Sequence, residues 1–361
     1  CKPLHFSIRV DNTPAADPVG PGTMTTILDV ARRARVSTAT VSRVLSQPEL
    51  VRQATRLRVM HVVDELGYEP NLAARTLRTL RSSKLLLMVP DISNPFFSKV
   101  IRGAEQTARE AGYAVVLGDT SHDSAAEEQY VGMFRRREVD GLVILGHRLP
   151  EALAIEVARR PGQTAVVNAC EYTPGLGISS VHIDNAAAGE QAIDHLLDLG
   201  HRDIGVITGP MESPLSRDRL AGAQRAMAGH GVLHRLVVGS GDFSVESGLE
   251  QASQLLERGV TGLFCFSDEM AIGAMNAIRS RELSCPDDVS VVGFDDIRFA
   301  RYLTPPLTTI AQPGSEIGRS AVELLLRTIA GDLVEPEVVA LPHQLIVRGS
   351  TARARSARPL P

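Results

Sequence analysis

The chain has 361 residues, 43% of them hydrophobic, which excludes a single small module and predicts a large core with at least one smaller folded unit beside it. Its net charge of −4 is unevenly placed: residues 24–84 hold eleven Lys or Arg against five acids, a net +6, residues 1–23 balance, and the chain beyond Lys84 therefore carries −10. No apolar run approaches the ~18 residues of a membrane span, no signal-like segment opens the chain, and Cys1, Cys170, Cys265 and Cys285 lack metal or redox spacing, so a cytoplasmic protein with reduced thiols and no cofactor is expected.

Residues 1–23 mix Pro, Gly and Asp and are expected to form a disordered or misassigned extension, with Met24 as the natural start. The basic stretch that follows, 24–70, reads as three short helices. Thr26 with Asp29 three residues on is an N-terminal signature, and Val30, Ala31 and Ala34 give the first helix one apolar face. Ser37 can cap a second helix whose Val41, Val44 and Leu45 turn inward, leaving Thr38, Ala39, Ser42 and Arg43 outside. A third runs from Gln53 to Leu66, with Val59, Val62, Val63 and Leu66 at helical spacing and Gly67 as its stop.

Three helices with a tight turn between the first two predict a helix-turn-helix. Taken alone, "VSTATVSRVL" also suits a capped surface helix. Thr and Ser cost helix stability there, however, whereas small hydroxyl residues let a backbone approach the floor of the major groove while Arg43 reaches a guanine edge. With the flanking helices and the local positive charge, the pattern points to double-stranded DNA.

"TILDVARRARVSTATVSRVL" and "TRLRVMHVVDELGYEPNLAARTL" resemble the DNA-binding head of the lactose-repressor (LacI/GalR) family almost position for position. The resemblance implies that Thr38, Ala39 and Arg43 read bases, with Thr26, Ser37 and Ser42 as further DNA contacts; Arg52 is expected to add a phosphate contact of its own. Two positions depart from the family pattern: Arg35 stands where a glycine is usual in the turn, and Arg52 where a small hydroxyl residue opens the third helix. Residues 71–83 lack a large apolar face and read as a linker. By resemblance they become a hinge helix when two copies pair over the minor groove of a palindromic operator, with Asn71 and Ala74 on the DNA and Leu77 wedged between base pairs.

Beyond Ser83 short apolar runs alternate with helix-length segments: "LLLMVP", "YAVVLGD", "GLVILG", "TAVVNA", "IGVITG", "GLFCFS", "VSVVGFD". Such runs predict parallel sheets covered on both faces. A weak internal repeat, "RGAEQTAREAGYAVVLGD" against "AGAQRAMAGHGVLHRLVVGSGD", predicts two similar lobes with a ligand cleft at the strand ends. The fold class expected is thus an all-α helix-turn-helix head followed by a two-lobed α/β body over 84–350, its first lobe about 84–183 and 313–340, its second about 184–312 and 341–350. Residues 351–361 are expected to be a disordered tail.

Residues just past the runs supply aromatic rings, carboxylates, amides and an arginine, which suit a sugar or nucleoside: planar faces to stack on and charged groups to hold hydroxyls. Asp268, ahead of "EMAIGAM", reads as a helix cap rather than a ligand contact. The stretch from Lys84 to about Ser350 resembles the type I periplasmic-binding-protein fold that forms the effector domain of the same family. That resemblance implies effector contacts at Phe96, Phe97, Arg219, Phe243, Ser267, Asp295 and Gln312, with His147 and Arg148 as extra polar groups. "VPDISNPFFSKVIRGAE", "LGDTSHD" and "VRGSTA" are most similar to its cytidine-repressor branch.

The expectation is a homodimeric, DNA-binding transcriptional repressor that a nucleoside or pentose-type effector releases. A corepressor-dependent repressor that binds a purine or another sugar is the alternative, and a solute-binding protein without a DNA role a more distant one. No P-loop, GxSxG or HExxH is present, and the histidines are dispersed, so no enzyme, no metal and no membrane partner is expected.

Overall fold

The structure, a computed structural model, describes residues 25–68 and 81–354 except 174, 176 and 334. It divides into two compact units, residues 1–79 and 80–361. In the first, α1 (Ile27–Ala34), α2 (Thr38–Ser46) and α3 (Gln53–Leu66) close over a core of Val30, Ala34, Val41, Val44, Val59 and Val62. Each helix end has a chemical cause. Asp29 accepts from the Thr26 amide and hydroxyl, Ser37 Oγ accepts from Thr40 N at 3.1 Å, and Gly67 ends α3 at φ 56°. Arg35 closes α1 in the same left-handed conformation, φ 54°, so the turn demands the backbone that glycine adopts without strain. Arg52 opens α3 with no side-chain cap.

The second unit holds two six-stranded sheets. The N-lobe sheet is built from β1 (Lys84–Val89), α4 (Pro95–Glu110), β2 (Ala114–Asp119), α5 (Ser124–Arg135), β3 (Gly141–Ile144), α6 (Glu151–Arg159), β4 (Val166–Ala169) and β5 (Ser179–Ile183). The chain then crosses to the C-lobe through α7 (Asn185–Asp198), β6 (Ile204–Thr208), α8 (Pro214–Gly229), β7 (Leu236–Ser240), α9 (Val245–Leu256), β8 (Gly262–Cys265), α10 (Asp268–Ser280), β9 (Ser290–Asp295) and β10 (Thr308–Ala311). It returns as α11 (Gly314–Ala330) and β11 (Val338–Leu341), and crosses once more to end in β12 (Gln344–Ile346). Strand orders are β2-β1-β3-β4-β5-β11 and β7-β6-β8-β9-β10-β12, parallel throughout except where β12 runs against β10.

The repeat seen in the sequence has a packing counterpart. A Cβ on Gly103 of α4 would lie 2.0 Å from the Ser315 carbonyl oxygen, and one on Gly318 of α11 2.0 Å from that of Val100. In the other lobe, a Cβ on Gly222 of α8 would lie 1.9 Å from the Ala186 oxygen, and one on Gly189 of α7 2.3 Å from that of Arg219. Each lobe thus locks its first helix to the helix that follows a crossover, backbone against backbone.

Both ends of the body are tied. The Asp140 carboxylate accepts from Ser82 N at 2.7 Å, Ser82 Oγ at 2.9 Å and Ser83 N at 2.9 Å where the chain enters β1. At the other end the order extends past Ser350, correcting the expected start of the tail. Thr351 Oγ1 meets His195 Nε2 at 3.0 Å, Ala352 N donates to Ser290 Oγ at 3.0 Å and Ala354 N to Leu199 O at 2.9 Å. Backbone groups with such partners have no reason to leave them. Cys170 and Cys265 are buried free thiols, and Cys285 is partly buried.

Candidate functional site

The strand ends of the two lobes enclose a cavity of about 530 Å³. All nine expected effector residues line it. Phe96 and Phe97 reach it from the first turn of α4, where Asn94 accepts from Phe96 N at 2.9 Å and Pro95 presets the helix. Their rings meet edge to face at 5.2 Å. Phe243 stands opposite, just past β7, at φ 74°. Its ring lies so close over Gly209 that a Cβ there would fall 2.0 Å from it. Cys170, Phe243 and Asp295, each at or just past a strand end, all have positive φ (68°, 74° and 109°). At these three positions a strained backbone turns the side chain into the cleft.

Arg219 is 3% exposed. It donates from Nε to Asn185 Oδ1 at 2.9 Å and from Nη1 to Phe266 O at 2.6 Å, with its guanidinium 3.5 Å from the centre of the Phe294 ring. Burial pulls its pKa down to about 10, which still leaves it a cation. Asp295 takes a bond from Gln312 Nε2 at 2.7 Å. Burial raises the Asp295 pKa to about 7 against the pull of Arg219 and Gln312. His147 and Arg148 sit on the N-lobe wall. Arg148 lies 3.7 Å from buried Glu127, and burial lowers the pKa of His147.

The helix cap expected at Asp268 falls to its neighbour. The cap of α10 is Ser267, whose Oγ accepts from Met270 N at 3.1 Å and donates to Phe243 O at 3.3 Å. Asp268, expected to cap, is fully buried and instead accepts from Ile297 N at 2.8 Å and Thr309 Oγ1 at 2.6 Å. Its carboxylate therefore braces the loop that leaves β9 just after Asp295.

The sequence reading missed Glu171, which follows the buried run of β4. It is 5% exposed, lines the cavity and accepts from Ser213 Oγ at 2.7 Å. Burial raises its pKa to about 7, opposed by Ser213, Arg219 and the Leu215 amide. That bond joins the lobes, as do Tyr172 OH to Asp218 at 2.9 Å and Lys99 Nζ to Asp296 O at 2.8 Å. No local pattern announces such pairs, whose partners lie 42, 46 and 197 residues apart.

In the head, Ala39 and Arg43 are exposed on α2, Thr38 and Ser42 half-buried beside them. Thr26 and Ser37 are engaged at helix N-termini. Among the described residues neither Arg43 nor Arg52 has an ion-pair partner, so both cations face solvent. Asn71, Ala74 and Leu77 lie outside the described residues.

Comparison with known proteins assigns both units. Residues 26–71 match the model of the bacterial regulatory proteins of the lacI family, and residues 193–351 that of a periplasmic binding protein-like domain. The HTH-type transcriptional repressor CytR of Escherichia coli (strain K12) is 42% identical over 332 residues, 91% of this chain and 97% of its own. The chain belongs to the LacI family of bacterial transcriptional regulators. The HTH-type transcriptional repressor PurR of Photobacterium profundum is 35% identical, over 91% of this chain and 98% of its own. The lac repressor dimer bound to operator and the anti-inducer ONPF has the same fold, with a TM-score of 0.79 at 29% identity over 91% of this chain and 100% of that one. This regulator is a ligand-responsive DNA-binding repressor and not an enzyme. Among the described residues no helix is long and apolar enough to cross a membrane.

Proposed function

We propose that this regulator acts in the cytoplasm as a homodimer, represses from a palindromic operator, and is released by a nucleoside or pentose-type effector. The observation that carries the effector class is the cleft itself. Three phenylalanine rings offer stacking faces, and buried Arg219, Asp295 and Gln312 offer donors and acceptors for vicinal hydroxyls. A LacI family regulator of Enterococcus faecium, solved with bound ribose, shares the fold at a TM-score of 0.68 and 31% identity over 75% of this chain and all of that one. Thermal melts against cytidine, uridine, adenosine, ribose, galactose and a purine base test the assignment. Ligand at 100 times Kd should stabilise the body by about 2.7 kcal/mol, several degrees of melting temperature. A shift with galactose alone refutes the nucleoside or pentose class. Tighter operator binding on adding the purine base, with no shift from the others, establishes a corepressor instead.

Ligand that closes the cleft shifts the lobes, and through the 71–83 segment disturbs the paired heads, a coupling of about 1 to 3 kcal/mol in typical cases. On the DNA side, Arg43 reads a base and Arg52 neutralises a phosphate. Arg43→Ala should cost about 1 to 3 kcal/mol and relax preference at one base per half-site, while Arg52→Ala weakens all sequences alike and lowers the salt slope by about one. A base-substitution binding panel in which the two variants behave alike removes the distinction. Leu77 serves as the minor-groove wedge, so Leu77→Ala should reduce operator bending and leave effector affinity intact. Unchanged migration in a circular-permutation gel would make the segment a plain linker.

A further inference from the structure

We propose that Glu171 selects the effector by accepting a hydrogen bond from an N–H of a planar base, so that nucleosides carrying such a donor are bound in preference to ligands without one. This rests on the nucleoside reading above and names the part of the ligand that the reading left open. The carboxylate is split between two tasks. Oε1 takes the hydroxyl proton of Ser213, at the N-terminus of α8 on the opposite lobe, at 2.7 Å. Oε2 is buried and, although the Leu215 amide lies near enough to lower the pKa of the carboxyl, no group among the described residues meets it in hydrogen-bond geometry. Thr208 Oγ1 and Ser216 Oγ are also buried without partners, but neither residue lines the cavity, whereas Glu171 does.

A carboxylate oxygen removed from water and left unpaired is unfavourable until something donates to it. On the open side of the cavity a ligand can do so in place of water. Above about pH 7 the Glu171 carboxyl is ionised; it then accepts and never donates, which rejects a carbonyl or ring ether at this point. Hydroxyls of a ribose have partners in Asp295, Gln312 and Arg219, while the phenylalanines hold a flat ring whose N–H lies fixed in its plane. Sites built to pair with a donor discriminate strongly against an analogue that lacks it, because their own buried group is then stranded.

The test uses the full-length protein and two ligand pairs: cytidine against its pyrimidin-2-one riboside, which lacks the amino group and adds no bulk, and uridine against 3-methyluridine. Calorimetry on the wild type should show at least about tenfold weaker binding of the donor-less member of the pair whose parent binds. In Glu171→Met, which keeps the length but removes the acceptor, that ratio should fall below about threefold, and Glu171→Gln should restore part of it. Glu171→Asp, which keeps the charge but withdraws the oxygen, replaces the methionine variant if the latter fails to fold. A ratio unchanged by these substitutions, or no discrimination in the wild type, overturns the role of Glu171 and leaves the nucleoside reading standing. Equal weakening of every ligand, ribose included, by both Glu171→Met and Ser213→Ala makes the pair a closure contact and likewise overturns it. Binding of ribose but of no nucleoside removes the nucleoside reading, and the role of Glu171 with it.

Discussion

Asp295→Ala abolishes the effector-induced rise in melting temperature and leaves operator binding by the unliganded protein intact. Charge-assisted hydrogen bonds contribute about 1.5 to 3 kcal/mol each, so losing a carboxylate that would hold two hydroxyls should weaken the effector at least about a hundredfold. The pH dependence gives a second readout. Burial raises the Asp295 pKa to about 7, so its contribution to folding is fully present below the ordinary carboxyl range and is lost as pH rises through about 7. Hydroxyl donors favour the ionised form. Effector affinity should therefore drop at least about tenfold between pH 8 and pH 5.5, and in Asp295→Asn the drop should shrink to the part that Glu171, also at about 7, contributes. A full melting shift in Asp295→Ala, or an Asn variant with the wild-type pH profile, would remove Asp295 from the effector contacts.

Gly222→Val unfolds or severely weakens the body. The added Cβ would lie 1.9 Å from the Ala186 carbonyl oxygen, a backbone atom that cannot rotate away, so α7 and α8 must separate. Overpacking of this kind costs at least about 3 kcal/mol, on the order of 10 °C in melting temperature for a body of this size. Gly229→Ala, at the last residue of the same helix with nothing within 4 Å of its Cβ, supplies the opposite sign, because alanine is the better helix former by up to about 1 kcal/mol. Equal melting temperatures for the two variants would refute the backbone-to-backbone contact.

The head was legible because its signals are local: Thr26 with Asp29, Ser37 and Gly67 each act within one helical turn of the end they mark. The body strands were legible because burial on both faces leaves runs such as Leu85–Val89 without polar breaks. β11 and β12 gave no such run. They are four and three residues long and half exposed, and gain meaning only by returning across the cleft to sheets begun far upstream. Ser267 and Asp268 are both good caps by residue type, and only the position of the loop after β9 decides between them. Glu171 was hidden for a physical reason. A carboxylate at the end of "VVNACE" is visible as chemistry only when Ser213 and the open side of the cavity are seen around it.

The grip of Asp140 on Ser82 and Ser83 has a mechanical meaning. Three hydrogen bonds at one carboxylate leave the chain no slack where it enters β1, so Ser82 and Ser83 turn with the N-lobe as one piece. A looser anchorage would let these two residues lag behind the lobe, as play in a joint. With the anchorage taut, the entry to β1 follows whatever rotation the N-lobe makes.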